Sequence, residues 1–232
     1  MPPPFPRDLT ASVPPRRALL RTALVGAAAT AGASAVVGPA RGQGGGPVAT
    51  VEALHAALLG VMREAASLGV RGRAERLRPA LEAALDLPAM ARGAAGAARW
   101  NAASEAEREA LASAFAGWTT AVYASRFTGY SGERFETLGE EAAPGGGDGD
   151  ARLVRTRLVR GDPSQPPVPL NYLLRRSPDG RWRAVDIYLQ GTVSEIATRR
   201  AEFASTLREG GAGRLAAVLR ERAAGLLAGG AT

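Results

Sequence analysis

One histidine, His55, and one aspartate set among aliphatics, Asp186 between Val185 and Ile187, are the residues of this 232-residue chain best suited by type to acid–base work. His55 has no second histidine to join it, so it reads as a structural or exposed histidine. Asp186 would need a partner if buried, and reads as a solvent-facing acid or as one paired with an arginine. Ser131, Ser177 and Ser194 fall in turns or helix starts, and none sits in a Gly-x-Ser-x-Gly elbow, so acyl transfer has no nucleophile here. The run Gly145-Gly146-Gly147-Asp148-Gly149 follows one strand pattern and precedes another instead of a helix, which makes it a flexible connector and not a phosphate cradle. The chain has no cysteine, which removes disulfides and thiolate metal sites. No catalytic residue, metal or cofactor is expected.

What the sequence holds in excess is apolar surface at regular spacing. Helical periodicity marks 48–68 and then shorter helices at 74–85 and 88–95, the last with Pro88 in its first turn and loosened by Gly93 and Gly96. Ser104 followed by Glu107 is a capping box that opens a long helix over 105–126, with Leu111, Phe115, Trp118 and Val122 along one face and Tyr123 and Phe127 on its flank. The period then changes to two, predicting strands at 134–141, 152–160, 168–175 and 181–190. Ser177-Pro178-Asp179-Gly180 turns the last two into a hairpin. On the third strand Val168, Leu170, Tyr172 and Leu174 share a face. Strict alternation puts Val185, Ile187 and Leu189 on one face of the fourth and Trp182, Ala184, Asp186 and Tyr188 on the other. Thr192 with Glu195 predicts a second capping box, opening a helix that carries Ile196, Phe203 and Leu207 and is broken by Gly210-Gly211 before a final helix with Leu215 and Leu219. The fold class is therefore α+β: a curved antiparallel sheet of about four strands covered by N- and C-terminal helices. Periodicity leaves open whether the apolar faces close into a solid core or line a cavity.

The N-terminus reads as an export signal, since Arg16, Arg17 and Arg21 precede an uncharged run of small residues over 22–37. Arg16-Arg17-Ala18-Leu19-Leu20-Arg21 looks like the twin-arginine consensus, with Leu19 and Arg21 where phenylalanine and lysine are usual. The expected organisation is a cleaved signal over 1–42, a flexible leader over 43–50 and one domain over 51–228, with the mature protein in the periplasm. All 29 basic side chains are arginine. Taking five arginines and Asp8 away with the signal lowers the formal charge from +7 to +3, with no basic run behind it, so nucleic acid is not an expected partner.

Along these segments the chain resembles the MlaC-type periplasmic lipid-binding proteins, also called the toluene-tolerance auxiliary family. The residues that carry the resemblance are Leu85-Asp86-Leu87-Pro88-Ala89-Met90-Ala91-Arg92, Trp100, Ala103-Ser104 to Arg108, Phe115 and Tyr123-Ala124-Ser125-Arg126-Phe127, then Leu170-Asn171-Tyr172-Leu173-Leu174, the 180–186 strand, Gly191-Thr192-Val193-Ser194 and Arg199-Arg200-Ala201-Glu202-Phe203. Phe127 to Phe135, Val154 to Leu158 and Ser194 to Arg200 look most like the hopanoid-associated branch, HpnM. The resemblance implies a non-enzymatic, monomeric carrier that accepts phospholipid or hopanoid into an apolar cavity between sheet and helices and exchanges it with inner- and outer-membrane transport complexes. The two largest apolar faces would then supply the lipid contacts: Leu111, Phe115, Trp118 and Val122 from the long helix, with Leu170, Tyr172, Leu174, Val185, Ile187 and Leu189 from the hairpin. Two other readings fit the same element order, namely an isomerase- or dehydratase-like enzyme in a cone-shaped fold and a cavity-free periplasmic scaffold.

Overall fold

A computed structural model describes residues 45–143 and 151–229. The expected signal over 1–42 and the glycine-rich connector at 145–149 lie outside the described residues. Helices α1 (Pro47–Arg63), α2 (Ala65–Ala84), α3 (Leu87–Ala95), α4 (Ala97–Ala102) and α5 (Glu105–Arg126) precede strands β1 (Arg134–Ala142), β2 (Ala151–Val159), β3 (Val168–Arg176), β4 (Trp182–Leu189) and β5 (Val193–Ser194), and α6 (Glu195–Leu227) closes the chain. The strands form one antiparallel meander in sequence order. The α+β class and the helix-covered sheet are as expected, with a short fifth strand added at the edge. Among the described residues no helix is long and apolar enough to cross a membrane.

Several local expectations are corrected. The helix expected over 48–68 starts at Pro47, inside the expected leader, and ends at Arg63; Gly69, at φ 59°, kinks the next helix. Gly93 does not loosen α3. A Cβ built there would come within 2.8 Å of Ile196 Cγ2, so glycine is what lets α3 lie against α6. The α6 cap is Ser194, whose hydroxyl oxygen accepts from the Ala197 N–H, and not Thr192. Gly210 and Gly211 break helical geometry inside α6, where the sequence placed the interruption. The Ser104–Glu107 capping box forms as read, with Ser104 Oγ accepting from the Glu107 N–H at 3.3 Å and Glu107 Oε2 accepting from the Ser104 N–H at 2.9 Å.

The core lies between one face of the sheet and the helices. Rows run across it from strand to strand: Val154 opposite Tyr172 opposite Ile187, and Thr156 opposite Leu170 opposite Leu189. Against them lie Val51, Leu54, Leu58, Leu77, Leu81, Leu111, Phe115, Phe203, Leu215 and Leu219, all fully or nearly fully buried. Buried Arg73 ties the helices together, donating from Nε to the Ala124 carbonyl at 2.8 Å and from Nη1 to the Ala65 carbonyl at 3.0 Å.

The fourth strand departs from strict alternation. Leu173 pairs with Asp186 but Leu174 pairs with Ala184, so Val185 is the extra residue of a β-bulge. Trp182 and Ala184 point into the core, and after the skip so does Ile187. The expectation that Val185 shares a face with Ile187 and Leu189 is thereby corrected: Val185 is half-buried and off that face.

Candidate functional site: an apolar cavity between the long helix and the fourth strand

Helix α5 supplies half of the residues that line a narrow cavity. Phe115, Trp118, Thr119, Val122 and Tyr123 fall at the i, i+3, i+4, i+7, i+8 positions that share one helical face. Ile187 and Leu189 of β4 face them, Leu85 and Met90 close one side, and Glu195 enters from the first turn of α6. Leu85 is placed by the backbone, because the Asp86 N–H donates to the Ala184 carbonyl at 2.9 Å and joins the α2–α3 junction to β4. The cavity volume is about 30 Å³, room for a water or two. On the other side of Leu85 an open groove of about 340 Å³ lies between Glu82, Pro88, Ala112, Ala116 and Arg183.

Of the residues expected to contact lipid, Phe115, Trp118, Val122, Ile187 and Leu189 line this cavity. Leu111, Leu170 and Leu174 are buried in the surrounding core, and Val185 is displaced by the bulge. Tyr172 is buried too, where its hydroxyl shares a 3.0 Å hydrogen bond with His55 Nε2 while the His55 ring stacks on Phe135 at 3.9 Å. Burial lowers the His55 pKa to about 4, leaving a neutral structural imidazole at neutral pH. Leu85, Met90, Thr119, Tyr123 and Glu195 line the cavity without having been singled out as lipid contacts. Tyr123 is on the flank of the α5 stripe in the sequence, whereas nothing local signals Glu195, whose position comes from the packing of α6 against α5.

The polar end of the cavity is built on α6. Arg199 is 2% exposed, and its Nε and Nη2 lie 2.7 and 2.6 Å from the same Glu195 oxygen, Oε1. Its Nη1 pairs with Glu202 Oε2, Glu202 Oε1 takes Arg222 Nη1 at 2.6 Å, and the guanidinium lies 4.9 Å over the Trp118 ring. Burial raises the Glu195 pKa, with Arg199 and Arg126 opposing it. Burial likewise raises the Tyr123 pKa, so its phenol stays protonated. Asp186, expected to face solvent or to pair with an arginine, is part-buried and held by other partners. Its carboxylate accepts from Ser194 Oγ at 2.6 Å and from the Ile196 and Ile187 N–H groups at 3.1 and 2.8 Å, fastening β4 to the start of α6. Among the described residues no group of three or more His, Cys, Asp or Glu is placed to hold a metal ion.

Comparison with known proteins gives two findings. Residues 52–221 match the family model described as MlaC protein. Among solved structures, the phospholipid-binding protein from Ralstonia solanacearum, in complex with a phospholipid, superposes with a TM-score of 0.63 at 22% identity, covering 77% of this chain and 97% of that one, which shows a shared fold. No curated protein matches.

Proposed function

The chain belongs to the MlaC protein family, and from that premise we propose that it is a lipid carrier whose cargo occupies the space between α5 and β4. The observation that carries the reading is the cavity itself: Leu85, Met90, Phe115, Trp118, Val122, Ile187 and Leu189 leave an apolar gap in a core where such side chains would otherwise interlock. A phospholipid in the structurally similar Ralstonia protein supports the same use of the fold. Each methylene taken out of water is worth about 0.8 kcal/mol, which is enough to hold an acyl chain or a fused-ring hydrocarbon without any covalent step.

A cargo larger than the cavity volume of about 30 Å³ requires the α5 face to move away from β4 on loading. The groove beyond Leu85 gives the route, since Leu85 is shared by both spaces and is all that the two lining sets have in common. The finer reading is a monomeric periplasmic protein of the hopanoid-associated branch, exported by its twin-arginine-like signal, that takes phospholipid or hopanoid between inner- and outer-membrane complexes. It is a carrier and not an enzyme. His55 is engaged with Tyr172, Asp186 is engaged at the start of α6, and neither lines the cavity.

Mass spectrometry of lipid extracted from natively purified protein tests the reading. A stoichiometric phospholipid or hopanoid is the expected result. Protein that neither carries lipid from the cell nor takes it up from vesicles, while folded, would overturn it.

A further inference from the structure

The cavity wall is mostly apolar, and at its α6 end a carboxylate is half used. Glu195 lines the cavity and its Oε1 accepts from Nε of Arg199, while Glu195 Oε2 and Arg199 Nη2, the latter 2.6 Å from Oε1, are both buried with no hydrogen-bond partner among the described residues. A buried carboxylate oxygen without a donor is costly, so on a residue that lines a cavity it invites a donor from whatever enters that cavity. We propose that Glu195 Oε2 is the acceptor for a hydroxyl on the buried part of the cargo, so that the carrier selects hydrocarbons bearing an alcohol inside the cavity over plain acyl chains.

Charge decides what kind of group this is. Arg199 is bonded to Glu195, and Arg126 is close enough to act on the same carboxylate, so its charge is already balanced. An ammonium brought into the cavity would lose its own hydration beside two guanidiniums, and a phosphate or carboxylate would bring a second anion against the Glu195 carboxylate. A neutral hydroxyl supplies the missing donor without adding charge. Geometry also fixes the oxygen. Arg199 is also paired with Glu202 and lies over the Trp118 ring, and in that position its Nη2 makes no hydrogen bond to Oε2. Thr119, one turn before Tyr123 on α5, puts a second hydroxyl on the cavity wall, but a threonine hydroxyl is donor and acceptor at once and discriminates less.

The inference rests on the lipid-carrier reading, and the experiment separates the two. Binding of 1-dodecanol and of its donor-free analogue dodecyl methyl ether is measured by calorimetry on the full mature chain, in the parent, Glu195→Gln and Glu195→Leu. The parent is expected to prefer the alcohol by about tenfold or more, the scale of a hydrogen bond to a charged group. Glu195→Leu is expected to bind both probes with a ratio near one, and Glu195→Gln, which keeps the side-chain shape and guards against loss of fold, to fall between. Equal binding of the two probes by the parent overturns the hydroxyl inference and leaves the carrier reading standing, as does a preference that survives in both variants. Binding of neither probe by the parent overturns the carrier reading itself. An ordered water held at Oε2 and not displaced by the alcohol gives equal binding, and so counts against the inference.

Discussion

His55 Nε2 and the Tyr172 hydroxyl, 117 residues apart in the chain, lie 3.0 Å apart and join α1 to the third strand beneath the stacked ring of Phe135. The pair sits in the core next to the cavity wall without being part of it. Its chemistry appears in the acid limb of stability. Burial holds the folded-state His55 pKa at about 4, against 6.5 in the unfolded chain, so between those values the unfolded state binds the extra proton. The contribution is complete above pH 6.5 and is lost as pH falls toward 4, to the extent of about 3 kcal/mol. Urea unfolding at pH 7, 5.5 and 4.5 is expected to show this loss in the parent and a flatter profile in His55→Gln, whose amide retains a partner for Tyr172. Parallel profiles would show that His55 is not the titrating group.

The bulge in β4 makes an opposite prediction for neighbouring residues. Ile187 is 3% exposed and lines the cavity, while Val185 is the residue skipped in the pairing with β3. Val185→Asp is expected to fold, with a cost within about 1 kcal/mol, and to keep its lipid. Ile187→Asp places a carboxylate among apolar side chains, costs several kcal/mol and loses the lipid. Thermal unfolding with lipid extraction from both variants is the check, and equal behaviour would contradict the face assignment.

The reasons that much of this architecture could be read from the sequence, and part could not, are local against tertiary. Ser104 and Glu107 specify their cap within one helical turn, and Ser177-Pro178-Asp179-Gly180 specifies its turn through φ alone, so both were legible. The α5 stripe gave Phe115, Trp118 and Val122 because a 3.6-residue period needs no knowledge of the partner. Unbroken alternation misplaces Val185 on the β4 core face, because the bulge shifts the parity there. The sequence carries a signal of the skip, in that Trp182 and Ala184 are apolar at one parity and Ile187 and Leu189 at the other, which only a bulge can put on one side. Glu195 and Leu85 had no such signal. Each reaches the cavity through a long-range placement, α6 on α5 for the acid and the Asp86–Ala184 hydrogen bond for the leucine. Asp186 shows the same limit, since its partners Ser194 and Ile196 come from a neighbouring helix start and not from an arginine.

Export is tested on residues outside the described part of the chain. If Arg16 and Arg17 mark a twin-arginine signal, replacing both by lysine keeps the positive charge that ordinary secretion requires but removes the pair that the other route reads. The variant is expected to accumulate uncleaved in the cytoplasm, by fractionation and immunoblot. Undiminished mature protein in the periplasm would assign the signal to the general secretory route.

The ion pairs around Arg199 should be unequal in worth, although they form one chain of contacts. Arg222 is 41% exposed at its side chain, where solvent screens its bond to Glu202, so Arg222→Ala is expected to cost less than about 1 kcal/mol. Arg199 is 2% exposed and serves both Glu195 and Glu202, which are 15% and 13% exposed at their side chains. Arg199→Met fills much of the same volume but leaves two largely buried carboxylates facing each other, and costs about 3–5 kcal/mol. The pH dependence identifies that origin. Glu195 already has a raised pKa from burial, and losing Arg199 raises it further, so above the unfolded value of 4.5 the folded variant holds a proton that the unfolded chain has released. Its stability therefore falls as pH rises through that window, and the deficit relative to the parent is expected to be larger at pH 8 than at pH 5. Adding Glu195→Leu and Glu202→Leu to Arg199→Met removes the charges together and is expected to recover most of the loss, because an apolar set has nothing left to desolvate. A deficit that is the same at both pH values, and that the triple variant does not repair, would place the role of Arg199 in its packing on Trp118 instead of its charge.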